Sequence, residues 1–148
     1  MKRFFITFFL LSLLIPVTSE NIKIKSPDNN LIVNIIQNNG SLLYNITYKD
    51  KVILEDSPLG LITNVSDFST NLMFVEKKEQ VINKSYYEPK IKKSYVEFQA
   101  NVVTATYQTP KKEKISLIFV VSNNDIALKY KLAQNGETAR CIVEKELT

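Results

Sequence analysis

The stretch Ile115–Leu132 reads ISLIFVVSNNDIALKYKL, and it decides the fold class. Two runs rich in β-forming residues, Ile115 to Val121 and Ile126 to Leu132, flank the turn-forming cluster Ser122, Asn123, Asn124, Asp125. The local expectation is a hairpin with a four-residue loop. In the second run Ile126, Leu128, Tyr130 and Leu132 share one face, and Ala127, Lys129 and Lys131 share the other. That period of two belongs to a strand with one wet side. The first run is apolar at Ile115, Leu117, Phe119 and Val121 and also at Ile118 and Val120, so it is expected to be covered on both faces.

Outward from this hairpin the same grammar recurs. Ile22–Ser26, Leu31–Gln37, Leu42–Tyr48 and Lys51–Glu55 read as four short strands of a meander. Their turns are Pro27-Asp28-Asn29-Asn30, Asn38-Asn39-Gly40 and Lys49-Asp50, residues that tolerate turn dihedrals. Ser57–Phe68 is less regular: Pro58 limits pairing, Gly60 permits close backbone approach, and Leu59–Val65 reads as a strand running into a loop at Ser66–Thr70. Leu72–Lys77 is a further strand, and Glu79–Glu88 is read as extended. Lys92–Tyr107 is the longest regular run, its phase disturbed at Val103 as by a bulge. Gln134–Thr138 reads as a loop around Gly136, and Ala139–Leu147 as a last strand. No sustained helical period follows residue 20. The expectation is an all-β chain, an antiparallel β-sandwich or barrel, and strand count does not choose between these and an immunoglobulin-type sandwich.

The first nineteen residues have a different character. Lys2 and Arg3 precede an apolar run, Phe4–Val17, and the small residues Val17, Thr18 and Ser19 precede Glu20. This is the three-part pattern of a secretory signal peptide, too short to span a bilayer. The expected organisation is therefore 1–19 signal peptide and 20–148 folded domain, exported to the periplasm or outside the cell, with no membrane association after cleavage. Without Lys2 and Arg3 the basic residues fall from 19 to 17 against 15 acids, and the lysines are scattered, so no nucleic-acid partner is indicated.

Much chemistry is excluded by composition. With no histidine there is no Ser-His-Asp or Cys-His nucleophile and no imidazole ligand. Three glycines cannot build a phosphate-cradling loop, and the lone Cys141 allows neither a zinc knuckle nor an internal disulfide. Cys141 lies in an apolar run and reads as a small buried residue. Carboxylates remain, since glycoside hydrolysis and calcium binding need nothing else. Glu144 and Glu146 would share one face of a strand, Glu55 and Asp56 would diverge, and Asp67 and Asp125 lie in loops. The ordinary reading of each is a solvated or turn-stabilising group. The weak substrate-binding candidates are Tyr86 and Tyr87, because sugars stack on aromatic faces; the ordinary reading has one packing inward and the other at the rim. Sequons at Asn39, Asn45, Asn64 and Asn83 bear on function only in a eukaryotic secretory route.

Several stretches together resemble the N-terminal domain of glycoside hydrolase family 97. They are Ser26-Pro27-Asp28 with the meander after it, Tyr44–Leu54 (YNITYKDKVIL), Ser57–Leu61 (SPLGL), Asp67-Phe68, and Val121–Tyr130 (VSNNDIALKY) followed by Gly136-Glu137-Thr138. The resemblance runs from about Asn21 to Thr148. It implies a β-super-sandwich of the galactose-mutarotase type preceding a (β/α)8 barrel, in exported, calcium-dependent α-glucosidases and α-galactosidases. The family's catalytic glutamates, and the glutamate its N-terminal domain lends to calcium, would lie beyond Thr148. None is carried over, so the chain is expected to hold no catalytic, metal or cofactor residue of its own. The resemblance thus implies a fragment: part of the N-terminal sandwich, without the barrel, binding or bracing in the context of a longer enzyme whose partner is an α-glucoside or α-galactoside. The competing expectation is an autonomous exported carbohydrate-binding or adhesion-type module.

Overall fold

A computed structural model describes residues 21–90, 92, 94–133 and 140–148. The signal-peptide segment and the loop read at Gln134–Thr138 lie outside the described residues. Ten strands follow in order: β1 (Ile22–Lys25), β2 (Leu31–Asn38), β3 (Ser41–Tyr48), β4 (Lys51–Leu59), β5 (Leu61–Thr63), β6 (Met73–Tyr87), β7 (Tyr95–Gln108), β8 (Lys114–Ser122), β9 (Ile126–Leu132) and β10 (Val143–Glu146). β1-β2-β3-β4 form one antiparallel meander, β6-β7-β8-β9 a second, and β5 pairs with β10. Among the described residues no helix is long and apolar enough to cross a membrane.

The turns are built as their residues dictate. Asn39 and Gly40 between β2 and β3, and Lys49 and Asp50 between β3 and β4, all take positive φ. Such two-residue turns match the right-handed twist of paired strands. The β1–β2 turn is held by Ser26, whose hydroxyl donates to Asp28 Oδ1 at 2.5 Å and accepts from Leu31 N at 3.0 Å. Asp28 N donates to Asn123 Oδ1 at 3.0 Å, tying this turn to the one between β8 and β9.

The two meanders face each other across one core. Ile22, Ile24, Val33, Ile35, Leu42 and Leu59 from the first sheet meet Val103, Ala105, Tyr107, Ile115, Leu117, Phe119 and Val121 from the second. Tyr44 lies against Phe119 with ring centroids 5.9 Å apart, and Phe74 meets Tyr107 edge-on at 5.7 Å. The expected sandwich is therefore observed, and the Ile115–Leu132 hairpin supplies much of its core as β8 and β9. The alternation in β9 is as read, Ile126, Leu128, Tyr130 and Leu132 turned toward the core. Ile118 and Val120 are only half-buried, on the opposite face.

Five expectations are corrected. Pro58 lies inside β4, opposite Leu43, because β4 is an edge strand whose outer side needs no N–H. Leu72–Lys77 and Glu79–Glu88 are not two segments but one fifteen-residue strand, β6. The irregularity assigned to Val103 is not a bulge in β7. The register shift lies farther along, between Phe74 and Glu76 on β6, opposite Tyr107 and Thr106, whereas Val103 pairs regularly with Glu79. The phase at Val103 is blurred because Val102 and Val103 are both buried, one on each face. The final strand is short, and Cys141 ahead of it is exposed rather than buried.

Candidate functional site

Tyr86 and Tyr87 end β6 in regular pairing, Tyr86 opposite Val96 and Tyr87 opposite Tyr95. Neighbours along a strand point to opposite faces, so the two do not form one platform. Neither packs inward: Tyr86 is 48% and Tyr87 68% exposed. Tyr87 instead shares a face with Tyr95, also exposed, whose strand is brought back by a turn in which Glu88 N donates to Ser94 O at 2.7 Å. Tyr95 escaped the reading of the sequence because its partnership depends on the register of a hairpin with an unpatterned tip. On the same face, Asn83, Ser85, Glu97 and Gln99 continue from the tyrosines and help to line a shallow concavity of about 210 Å³. Two aromatic faces beside amide, hydroxyl and carboxylate groups have the chemistry of a weak sugar platform.

The carboxylates have structural duties. Asp67 accepts from Ser69 N at 2.8 Å and Ser69 Oγ at 2.5 Å. Asp125 O accepts from Ser122 N at 2.9 Å, while Asp125 N donates to Ser122 Oγ at 2.9 Å, closing the β8–β9 turn. The Ser26 hydroxyl, then the Asn30 backbone and side-chain N–H groups, hold the Asp28 carboxyl below its ordinary range. Asp56 accepts from Asn45 Nδ2 at 2.8 Å, and Asn45 Oδ1 accepts from Asn34 Nδ2 at 2.7 Å, a polar ladder across the first sheet's outer face. Glu55 lies exposed beside it. Glu144 and Glu146 do not share a face as expected: the register shift between Val143 and Lys145 interrupts the alternation of β10. Glu113, which the sequence did not single out, accepts from the Ser66 and Thr109 hydroxyls and fastens the loop after β5 to the β7–β8 turn. Among the described residues no three acidic or cysteine side chains come together to hold a metal ion.

The two stretches that carry the family resemblance meet in space. Gly60 N, from SPLGL, donates to Tyr130 Oη, from SNNDIALKY, at 3.2 Å, and Tyr130 Oη lies 2.8 Å from Thr148 Oγ1. Leu147 N donates to Gly60 O at 3.1 Å. Burial pushes the Tyr130 phenol above its ordinary value. A side chain at Gly60 would press on backbone, a Cβ there lying 2.7 Å from Phe68 O at φ +152°. The motifs therefore mark a packed junction between the first sheet, β9 and the end of β10.

Comparison with known proteins agrees with this architecture. The family model described as glycosyl-hydrolase 97 N-terminal matches residues 24–148. The crystal structure of a beta-arabinopyranosidase superposes with a TM-score of 0.81 at 35% identity, over 87% of this chain and 21% of that one. A glycoside hydrolase family 97 enzyme from Pseudoalteromonas, solved in complex with panose, gives 0.77 at 23% identity over 85% of this chain and 20% of that one. The same organism's enzyme in complex with acarbose gives 0.76 at 23% identity, over 84% and 19%. The chain thus spans about a fifth of the length of these structures. No curated protein matches it significantly.

Proposed function

This chain belongs to the glycosyl-hydrolase 97 N-terminal family, and on that premise we propose that it is the non-catalytic N-terminal part of an exported α-glycosidase, inert by itself. Its role is to brace the catalytic part and shape one wall of its pocket, with an α-glucoside or α-galactoside as the substrate of the whole. The observation that carries this reading is the family match over residues 24–148, falling on a sandwich whose loop residues Asp28 and Asp67 engage their carboxylates in turns. Export rests on the pattern of the first nineteen residues. The reading needs no cation held by this chain.

The purified 148-residue product is expected to show no turnover of an aryl α-glucoside; measurable turnover would sink the reading. N-terminal sequencing of the product from the periplasm or medium is expected to begin at Glu20. Retention of Met1 in a cytoplasmic product would remove the export half of the proposal.

The Tyr87–Tyr95 pair favours a second reading, an autonomous module that grips glycan on the β6–β7 hairpin. Binding of a malto-oligosaccharide by the isolated chain, lost in Tyr87→Ala, would support it over the first.

A further inference from the structure

The second sheet has two faces, and the core accounts for one. Across β7 and β8 the register pairs Val102 with Val120 and Thr104 with Ile118, positions alternating with the buried Val103, Ala105, Leu117 and Phe119. Phe98 precedes them on β7, and Ile82 of β6 lies opposite Ala100. Ile82, Phe98, Val102, Ile118 and Val120 therefore form an apolar stripe on the outer face. Ile82, Phe98, Ile118 and Val120 are half-buried by one another, and Val102 is 8% exposed. The first sheet packs on the inner side, where β1 and β2 put their buried residues into the shared core and Tyr44 of β3 meets Phe119.

Lysines border the stripe at both edges. Lys84 on β6 faces Phe98, and Lys129 on β9 faces Ile118. The first sheet's outer face differs: the Asn34–Asn45–Asp56 ladder crosses its middle, which suits water. Of the two outward surfaces, the second sheet's has the apolar centre, and its margin is mixed, Lys84 and Lys129 standing with the Glu76–Lys78 pair of β6.

We infer that the outer face of the β6–β9 sheet is the surface on which the remaining part of the hydrolase seats, through an apolar patch. This rests on the reading of the chain as an N-terminal hydrolase domain, and it says which surface performs the bracing. One observation selects that occupant. The solved relatives are about five times as long as the segment this chain matches, so in them a much larger body adjoins this sandwich.

The test grafts residues 21–148 in place of the matched fifth of the beta-arabinopyranosidase and compares Val120→Lys with Val52→Lys, an exposed position on the first sheet. Val120→Lys is expected to lower the chimera's Tm by about 5 °C or more while moving the isolated chain by less than about half of that. Val52→Lys should leave both in place. Equal behaviour of the two variants overturns the inference, as does a concentration-dependent dimer of the isolated chain that Val120→Lys dissolves. The crystal structure of the beta-arabinopyranosidase supplies a readout independent of whether the chimera folds. Positions superposing on Phe98 and Val120 are expected to be covered by residues outside the matched fifth. If those positions face solvent while the counterpart of Val52 is covered, the inference fails and the N-terminal bracing reading survives. If neither sheet's outer face is covered there, both fall.

Discussion

The β8–β9 hairpin and the outer half of the β6–β7 hairpin belong to the same sheet and are equally well paired, yet they are different kinds of structure. Along β8 the burial alternates between buried core positions and half-buried ones, whereas from Lys77 to Tyr87 only Ile82 of β6 is less than exposed. Backbone pairing runs without a break in both, from Ile115↔Leu132 to Val121↔Ile126 in one and from Ile82↔Ala100 to Tyr87↔Tyr95 in the other. The difference lies in what stands opposite. β8 and β9 face the first sheet; among the described residues the outer part of β6–β7 faces none, and β8 itself stops at Ser122, opposite Ala100. A ladder of hydrogen bonds exchanges one set of partners for another and contributes modestly, so stability should follow the facing sheet and not the pairing.

The sharpest way to break that claim is Phe119→Ala. Phe119 is fully buried and stacked near Tyr44. Truncation should cost about 3–5 kcal/mol, read as a lower urea midpoint with unchanged slope. A loss under about 1 kcal/mol would mean that the sheet-to-sheet core is not what holds the hairpin. Next in size is Gly60→Ala. The added Cβ meets the Phe68 carbonyl and the Ser69 backbone, neither of which can swing aside, and φ of +152° is one that L residues rarely adopt. A cost of about 1–3 kcal/mol is expected in the same titration.

The same contrast explains what could be read in the sequence. Strands β1 to β3, β8 and β9 were legible because one face is buried, and burial writes alternation into the residues. Strand β6 was not, since Lys77-Lys78-Glu79-Gln80 is exposed on both faces and carries no period to detect. Around Val102 and Val103 the opposite failure occurs: both faces of β7 are covered, alternation disappears, and the gap imitates a bulge. Cys141 misled because its apolar neighbour Ile142 is itself 63% exposed, held outward by the bond from its N to Asn64 Oδ1. The weak candidates Tyr86 and Tyr87 were visible as a pair in sequence, but the pair that shares a face, Tyr87 and Tyr95, is made by register.

Tyr130→Phe sharpens the comparison at the hairpin's junction with Gly60. The ring and its packing stay; the bonds to Gly60 N and Thr148 Oγ1 go. About 1 kcal/mol is expected, with a pH signature. Burial raises the folded-state pKa of this phenol above the ordinary 10.0. A raised folded pKa means that its stabilisation is whole below pH 10 and is lost as pH climbs through the folded value. The wild-type chain should therefore lose more stability above pH 10 than Tyr130→Phe does. Parallel decline of the two in alkaline unfolding curves would refute the assignment.

The smallest expected effect is at Tyr87, and it is the one most exposed to refutation. Tyr87 is 68% exposed, its only structural neighbour across the ladder is the equally open Tyr95, and no sheet faces either. Removing the ring in Tyr87→Ala should shift the urea midpoint by no more than about 0.5 kcal/mol of stability. If the loss approaches that of Phe119→Ala, the outer β6–β7 hairpin contributes to the fold in its own right and the contrast with β8–β9 collapses. If stability is unmoved, an exposed aromatic pair that costs solubility and contributes nothing to the core needs another reason to be there. Contact with something outside this chain is the remaining physical account, and the same variant separates its two forms. Weaker retention on a malto-oligosaccharide resin places a sugar on the tyrosines; unchanged retention alongside a lower Tm of the grafted enzyme places protein there.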